Sequence, residues 1–309
     1  MTKEPHESGE RNDVLPNGYI SRRTENGSAL ALKTERGIFD IGVVAGFLKK
    51  QLPTTIEMLI ENGDADLVGD AVAAYAAAGQ TAGMLDKRDI VFAPAVSHPE
   101  KIIITGANYR DHLDEIGWAV PKFPLFFNKF NNSLLGHNGL LELPRADTEQ
   151  FDYEAELVIV IGKVTRNVAE EDALASVFGY CVGNDFSARD LQMRTSQVML
   201  GKTSDGFAPL GPVLAPASAV PNPNDLAIEC SVNGERRQSG RTSEMIFSCA
   251  YLVSYLSRYM TLKPGDLIFT GTPAGPILGH PEKDRKWLKA GDMVETRIEG
   301  LGTLRFILT

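Results

Sequence analysis

The sequence predicts an α+β protein: a small N-terminal α+β domain followed by a larger, β-rich domain with flanking helices. Three observations carry that prediction. The 309 residues, 43% hydrophobic and 23% charged, suffice for one large core and a smaller second unit. Apolar residues recur at helical spacing in the first third, whereas β-type runs punctuated by glycine and proline dominate afterwards. No βαβ rhythm opens on a glycine-rich turn, so a nucleotide-binding sheet is not indicated.

Taken in order, residues 1–16 are polar and charge-rich with nothing periodic to bury, which predicts a loose tail. Residues 17–95 form the small domain. There "SALALKTERGIFDIG" alternates as strand, turn and strand, and "VVAGFLKKQL", "TTIEMLIENG" and "DAVAAYAAAG" predict short helices. In "DIVFAPAVSHPEKIIITGANY" two β-type runs flank a proline-bearing turn, and the domain boundary is placed there. Within residues 96–309, "VAEEDALASVFGY" opens with acids that suit the positive end of a helix. "TSEMIFSCAYLVSYLSRYM" sets Met245, Ile246, Cys249, Leu252, Val253 and Leu256 on one helical face. "LKPGDLIFTGTP" and "LKAGDMVETRIEGLGTLRF" each read as a turn followed by strands.

Bulk properties exclude several function classes. The formal net charge is -9 and no Lys/Arg cluster is interleaved with aromatics, which argues against nucleic acid as a partner. No apolar run reaches the ~18 residues needed to span a bilayer, and the N-terminus lacks the apolar core of a signal peptide, so a cytoplasmic protein is expected. Cys181, Cys230 and Cys249 are widely spaced in apolar sequence, which predicts buried thiols rather than a disulfide framework or a zinc site.

The chemistry concentrates in "FDYEAELVIVIG". In an extended strand Asp152, Glu154 and Glu156 share one face, while Tyr153, Ala155, Leu157, Ile159 and Ile161 share the other, the core face. Adjacent carboxylates repel and raise one another's pKa unless donors or a cation neutralise them. Oxygen ligands without His or Cys select magnesium, calcium or manganese. Taken alone, such an acidic strand end reads first as simple exposure to solvent, since acids mostly lie at the surface. In "GYCVGNDFSARDLQMR" an apolar run ends at Asp185, a candidate third ligand, and Ser187 with Asp190 has the spacing of a capping box.

From about residue 98 onward the chain resembles the fumarylacetoacetate hydrolase superfamily, in its branch of acylpyruvate hydrolases and hydroxyhepta-diene-dioate isomerases. The resemblance rests on seven pieces in order: "GANYRDHLDEIG", "FDYEAELVIVIGK", "GYCVGNDFSARDLQ", "GKTSDGFAPLGP", "VNGERRQSGRTSEMIF", "LKPGDLIFTGTPAG" and "LKAGDMVETRIEGLGTLRF". It implies a rolled β-sandwich core and a homodimer. It also implies a divalent cation, Mg2+ first and Mn2+ or Ca2+ as alternatives, held by Glu154, Glu156 and Asp185 with Asp152 in support. It places Lys202 and Gln192 at the metal-bound substrate, and Thr272 and Arg189 near a substrate carboxylate. Taken alone, Lys202 reads as a surface lysine, Thr272 as a turn residue and Arg189 as a surface ion-pair partner.

His112 and Glu115, three apart in "RDHLDEIG", share a helix side, where the carboxylate would raise the basicity of the imidazole. The resemblance makes them a water-activating dyad on a short lid. His137 reads as a loop residue, and His6, His98 and His280 show no partner pattern.

The expected function is therefore a metal-dependent hydrolase that cleaves a C-C bond in a 1,3-dicarbonyl substrate of acylpyruvate or diketo acid type. His112 and Glu115 activate water, and Lys202 steadies the departing enolate. The alternatives are an oxaloacetate-type decarboxylase, a hydroxydienedioate isomerase, or a keto-acid-binding protein without turnover. Two departures from the family pattern, Phe130 after "FFNK" and Pro276 with the extended segment 276–287, fall where the distal half of a substrate would lie.

Overall fold

The computed structural model describes residues 18–25, 27–144 and 148–309. The tail expected over residues 1–16 lies outside the described residues. Four N-terminal strands, β1 (Gly18–Thr24), β2 (Gly27–Thr34), β3 (Gly37–Asp40) and β4 (Met84–Leu85), are joined through helices α1 (Ile41–Leu48), α2 (Ile56–Asn62) and α3 (Ala65–Ala77). The sequence marks the first two helix starts, since Asp40 accepts a hydrogen bond from the Val43 amide and Thr55 from the Met58 amide.

The strands that follow are β5 (Ile102–Gly106), β6 (Leu125–Lys129), β7 (Leu134–Leu135), β8 (Gly139–Leu141), β9 (Phe151–Asp152), β10 (Ala155–Ile161), β11 (Val177–Asn184), β12 (Ser187–Ala188) and β13 (Ala208–Pro216). After them come β14 (Ala227–Val232), β15 (Glu235–Arg241), β16 (Leu267–Phe269), β17 (Met293–Ile298) and β18 (Gly302–Leu308). Helices α4 (Arg110–Ile116), α5 (Arg189–Gln192) and α6 (Cys249–Tyr259) are interspersed.

The large sheet runs β4-β3-β2-β1-β13-β11-β10-β16-β5-β6, with β7 added against β13, and a five-stranded sheet runs β15-β14-β17-β18-β8. Pairing of β1 with β13 at Tyr19 and Leu214 makes residues 18–95 part of the same sheet as the later strands. Strand β10 is buried on both faces. Ala155, Leu157, Ile159 and Ile161 pack with Ile228, Val294 and Phe306 of the five-stranded sheet, while Val158 and Val160 pack with Val44, Leu59 and Tyr75 of the N-terminal helices. Each buried aliphatic side chain contributes about 1.5–3 kcal/mol to folding. The acids therefore head a strand with a core on either side, rather than one core face and one free face.

Several local expectations give way to tertiary structure. "VAEEDALASVFGY" forms only a 3-10 helix over Glu170–Ser176, because Val177 and Phe178 are drawn into β11 beside β10. Of the two β-type runs at the boundary only β5 is a strand, and the first makes a single bridge between Arg22 and Phe92. Helix α6 begins at Cys249, capped by Ser248, so Met245 and Ile246 precede it. The three cysteines are free and buried. No described helix is long and apolar enough to cross a membrane.

Candidate metal centre and its histidine dyad

Antiparallel pairing of β10 with β11 matches Ala155 to Asn184, which sets the head of one strand beside the tail of the other. The Asp185 amide donates to the Glu154 carbonyl at 2.9 Å, so acids 31 positions apart in the chain share one spot. Oxygens of Glu154, Glu156 and Asp185 lie within 4.8 Å of one another, and all three residues are buried. Asp152 does not continue their face. It sits in β9, paired with β12, and Tyr153 and Glu154 interrupt the strand between them. Its carboxylate accepts from the Ile277 and Leu278 amides at 2.8 and 3.0 Å and from Arg189 Nε at 2.9 Å.

Three buried cations answer these acids. Lys202 Nζ stands 2.6 Å from both Glu154 Oε2 and Asp185 Oδ2, and at 2% exposure it is no surface lysine. Gly201 makes that approach possible, because a Cβ there would lie 2.4 Å from the Gln192 amide nitrogen and 2.5 Å from the Ala188 oxygen. Arg189 is likewise buried, bridging Asp152 and Glu154 at 2.9 Å each and donating to Gln192 Oε1 at 2.9 Å. Its position is that of a strut between carboxylates rather than a surface ion-pair partner. Lys129, at the end of β6, lies 2.6 Å from Asp185 Oδ1 and donates to the Phe186 carbonyl at 2.9 Å.

The electrostatics follow from burial and neighbours. Burial would raise the Glu154 carboxyl, but Arg189 and Lys202 outweigh it and hold it well below the ordinary range. Glu156 goes the other way, pushed up by burial and by the charges of Asp185 and Glu154. Burial lowers Lys202 but Asp185 and Glu154 reverse that effect, whereas Lys129 is lowered to about 8 by burial.

This donor set suits a hard divalent cation. All three candidate ligands are carboxylates whose oxygens lie within 4.8 Å of one another, and Glu154, Glu156 and Asp185 would hold such an ion. Asp185 Oδ1 is a buried acceptor with no properly directed hydrogen bond, despite its short distance to Lys129. Buried acceptors are rarely left so, and a bound cation would satisfy it.

Beside the cluster, His112 Nδ1 lies 3.4 Å from Glu115 Oε2 on α4, and His112 is buried. The strap of residues 272–278, which follows β16, pins this helix: the Gly275 amide donates to Glu115 Oε2 and the Ala274 amide to Asp111 Oδ2, each at 3.1 Å. Burial would raise the Glu115 carboxyl, but His112 and the Gly275 amide together hold it below its usual value. Thr272, on the same strap, accepts from Gln238 Nε2 at 2.7 Å.

Other sequence readings fare differently. No capping box forms at Ser187 and Asp190: Ser187 Oγ donates to the Asp185 carbonyl, and Asp190 is taken by Thr148 and the Glu149 amide. His137 is buried in its loop, accepting from the Arg305 amide and packing on Phe92. Sequence reasoning missed Lys129, whose signal was a charge closing an apolar strand, "LFFNK". It also missed Gln238, which ties the Ala155 amide to Thr272 and Pro273.

Comparison with known proteins bears on this architecture. The model of the fumarylacetoacetate (FAA) hydrolase C-terminal region matches residues 101–308. A human protein named oxaloacetate tautomerase FAHD2A, mitochondrial, is 42% identical over 255 residues, covering 82% of this chain and 79% of its own. The crystal structure of fumarylacetoacetate hydrolase from psychrophilic Exiguobacterium antarcticum superposes with a TM-score of 0.77 at 31% identity, covering 95% of this chain and 99% of that one. Fumarylpyruvate hydrolase from Pseudomonas aeruginosa, solved with Mn2+ and pyruvate, gives a TM-score of 0.62 at 37% identity, covering 68% of this chain and 90% of that one. With its fold, its buried acids and a family match over residues 101–308, this chain belongs to the fumarylacetoacetate hydrolase family of enzymes.

Proposed function

We propose that this protein catalyses the keto-enol tautomerisation of a small 2-oxo dicarboxylate of the oxaloacetate class, with a divalent cation held by Glu154, Glu156 and Asp185. The observation that carries this reading is the placement of a buried histidine, paired with the half-buried Glu115, beside a carboxylate cluster that also holds two buried lysines. The tautomerase name of the human relative supports it. When bound, the cation supplies Lewis-acid polarisation of the substrate's 2-oxo acid end. Mg2+ and Mn2+ are the candidates, the latter supported by the Pseudomonas structure.

The chain's own groups do the proton work. Glu115 holds His112 at Nδ1, which leaves Nε2 free among the described residues to take a proton from the carbon between the two carbonyls. The C-H electron pair then forms the C-C double bond, and the Lys202 ammonium steadies the charge that develops on the 2-oxo oxygen. A proton from solvent then reaches that oxygen while His112 returns its own to solvent, which gives the enol, and the reverse sequence restores the ketone. The C=O π pair moves onto oxygen, and no carbon-carbon or carbon-oxygen σ bond breaks.

A second reading is the C-C hydrolysis expected from the sequence. It is favoured by the same dyad and by the likeness to fumarylpyruvate hydrolase. Here His112 takes a proton from water, the hydroxide adds to the distal carbonyl, and the C-C electron pair leaves as an enolate. Purified protein with Mg2+ or Mn2+ should accelerate loss of the oxaloacetate enol over the metal alone, with substrate mass unchanged. Absence of that acceleration, together with two acid products from an acylpyruvate, would establish the hydrolase instead.

A further inference from the structure

A cavity of about 320 Å³ lies behind the strap, away from the acid cluster. None of Glu154, Glu156, Asp185, Lys202 or His112 lines it, whereas Ile277 and Tyr153 form part of its wall. That wall has two sides. The Ile277 amide is bonded to Asp152, and Tyr153 Oη donates to the Gly275 carbonyl at 3.0 Å, so strap and wall are one fixed partition.

The chemistry of the lining points to one ligand class. Arg237 lines the cavity with its side chain about a third exposed, and its Nη2 pairs with the exposed Glu235 at 2.9 Å. The planar guanidinium fork matches a carboxylate, and a ligand carboxyl can take the place of the exposed Glu235 on it. The half-buried Trp287, which carries Arg285 over its ring at 5.9 Å, contributes aromatic surface, and Lys286 and Lys289 add positive charge at the exposed rim. Two acids also border the cavity, but Asp292 is occupied by the Lys289 amide and the Asn233 side chain, and Asp284 stands on the exposed rim. The volume falls within the range of small-molecule sites and admits a single compact ligand.

We propose that this cavity is a second binding site, separate from the metal centre, for a small aromatic carboxylate whose carboxyl meets Arg237 and whose ring lies against Trp287. Benzoate is the probe. The chain has two tryptophans, so Trp118→Phe leaves Trp287 as the only indole reporter. Benzoate should quench its fluorescence saturably, with half-saturation on the order of 1 mM for so small a ligand. Benzamide, equally flat but uncharged, should bind about tenfold more weakly.

Arg237→Met should raise the benzoate half-saturation about tenfold. Lys286→Glu, at an exposed position that folding does not depend on, should raise it roughly threefold. Oxalate with Mn2+, a chelating probe of the acid cluster, should leave benzoate binding unchanged. The proposal is overturned by absence of saturable quenching, by equal binding of benzamide, by displacement with oxalate, or by benzoate affinity indifferent to both substitutions.

Discussion

The two halves of the candidate site are built in different ways. The carboxylate-lysine half is placed by the sheet itself: β10 and β11 hold Glu154 and Asp185 together by backbone pairing, and Arg189, Lys202 and Lys129 are all buried around them. The dyad half rests on a helix of seven residues, α4, ended by Gly117 and pinned by two amides of the strap. So short a helix has little stability of its own. The first half is therefore bound up with folding, and the second is adjustable without unfolding the protein.

Substitutions in the two halves should break differently, and the largest effect belongs to the sheet-built side. Glu154→Ala removes one of the two buried carboxylates from each of Arg189 and Lys202, leaving Asp152 and Asp185 to answer them, so it should cost about 3 kcal/mol of stability and abolish metal-dependent activity. Denaturant unfolding and a metal titration would both show it, and a variant of unaltered stability would mean that the acids are not structurally coupled. On the other side, His112→Ala should lower kcat by about 10²–10⁴ with little change in unfolding midpoint. If that variant unfolds early, the dyad is not the independent half described here.

Between these extremes, Gly201→Ala should force the Lys202 loop away from α5. A cost of about 1–3 kcal/mol is expected, with a lower kcat at nearly unchanged metal affinity. Thermal melts and a metal titration of one sample would sharpen the boundary between the halves. The smallest effect is a pH dependence. The folded-state pKa of Glu115 is depressed, so its contribution to stability is present above the ordinary value of 4.5 and is lost as pH falls through the lower folded value. Accordingly, the difference in melting temperature between the native protein and Glu115→Gln should shrink as the solution is acidified below pH 4.5. A difference that grows on acidification would reverse the assignment.

Much of the first half was legible because its signals are local. The alternation of "FDYEAELVIVIG" marks a strand with acids at its head, and "GYCVGND" marks an apolar strand closing on an aspartate. Of the dyad, spacing showed only that His112 and Glu115 are neighbours on a helix, which alone reads as a solvated face; its proposed role came from the family resemblance, and the burial of His112 came from the fold. Asp190 shows the limit: its spacing from Ser187 suggested a cap, but Thr148, some 40 positions away, holds its carboxylate instead. A local motif offers a partner, and the fold decides whether a better one is nearby.

By itself the sequence determined the order of strands and helices along most of the chain and the separation of apolar from acidic positions, and it brought forward the acids and the histidine pair as candidates through the family resemblance. Periodicity and residue chemistry act over a few residues, so one chain suffices to read them. Only the tertiary structure decided that Lys202 is buried rather than exposed, that Lys129 joins Asp185 across 56 positions, and that Asp152 turns to the strap instead of to its neighbouring acids. Those contacts depend on strand pairing and on close approaches such as that at Gly201, where packing density rather than local pattern selects the partner.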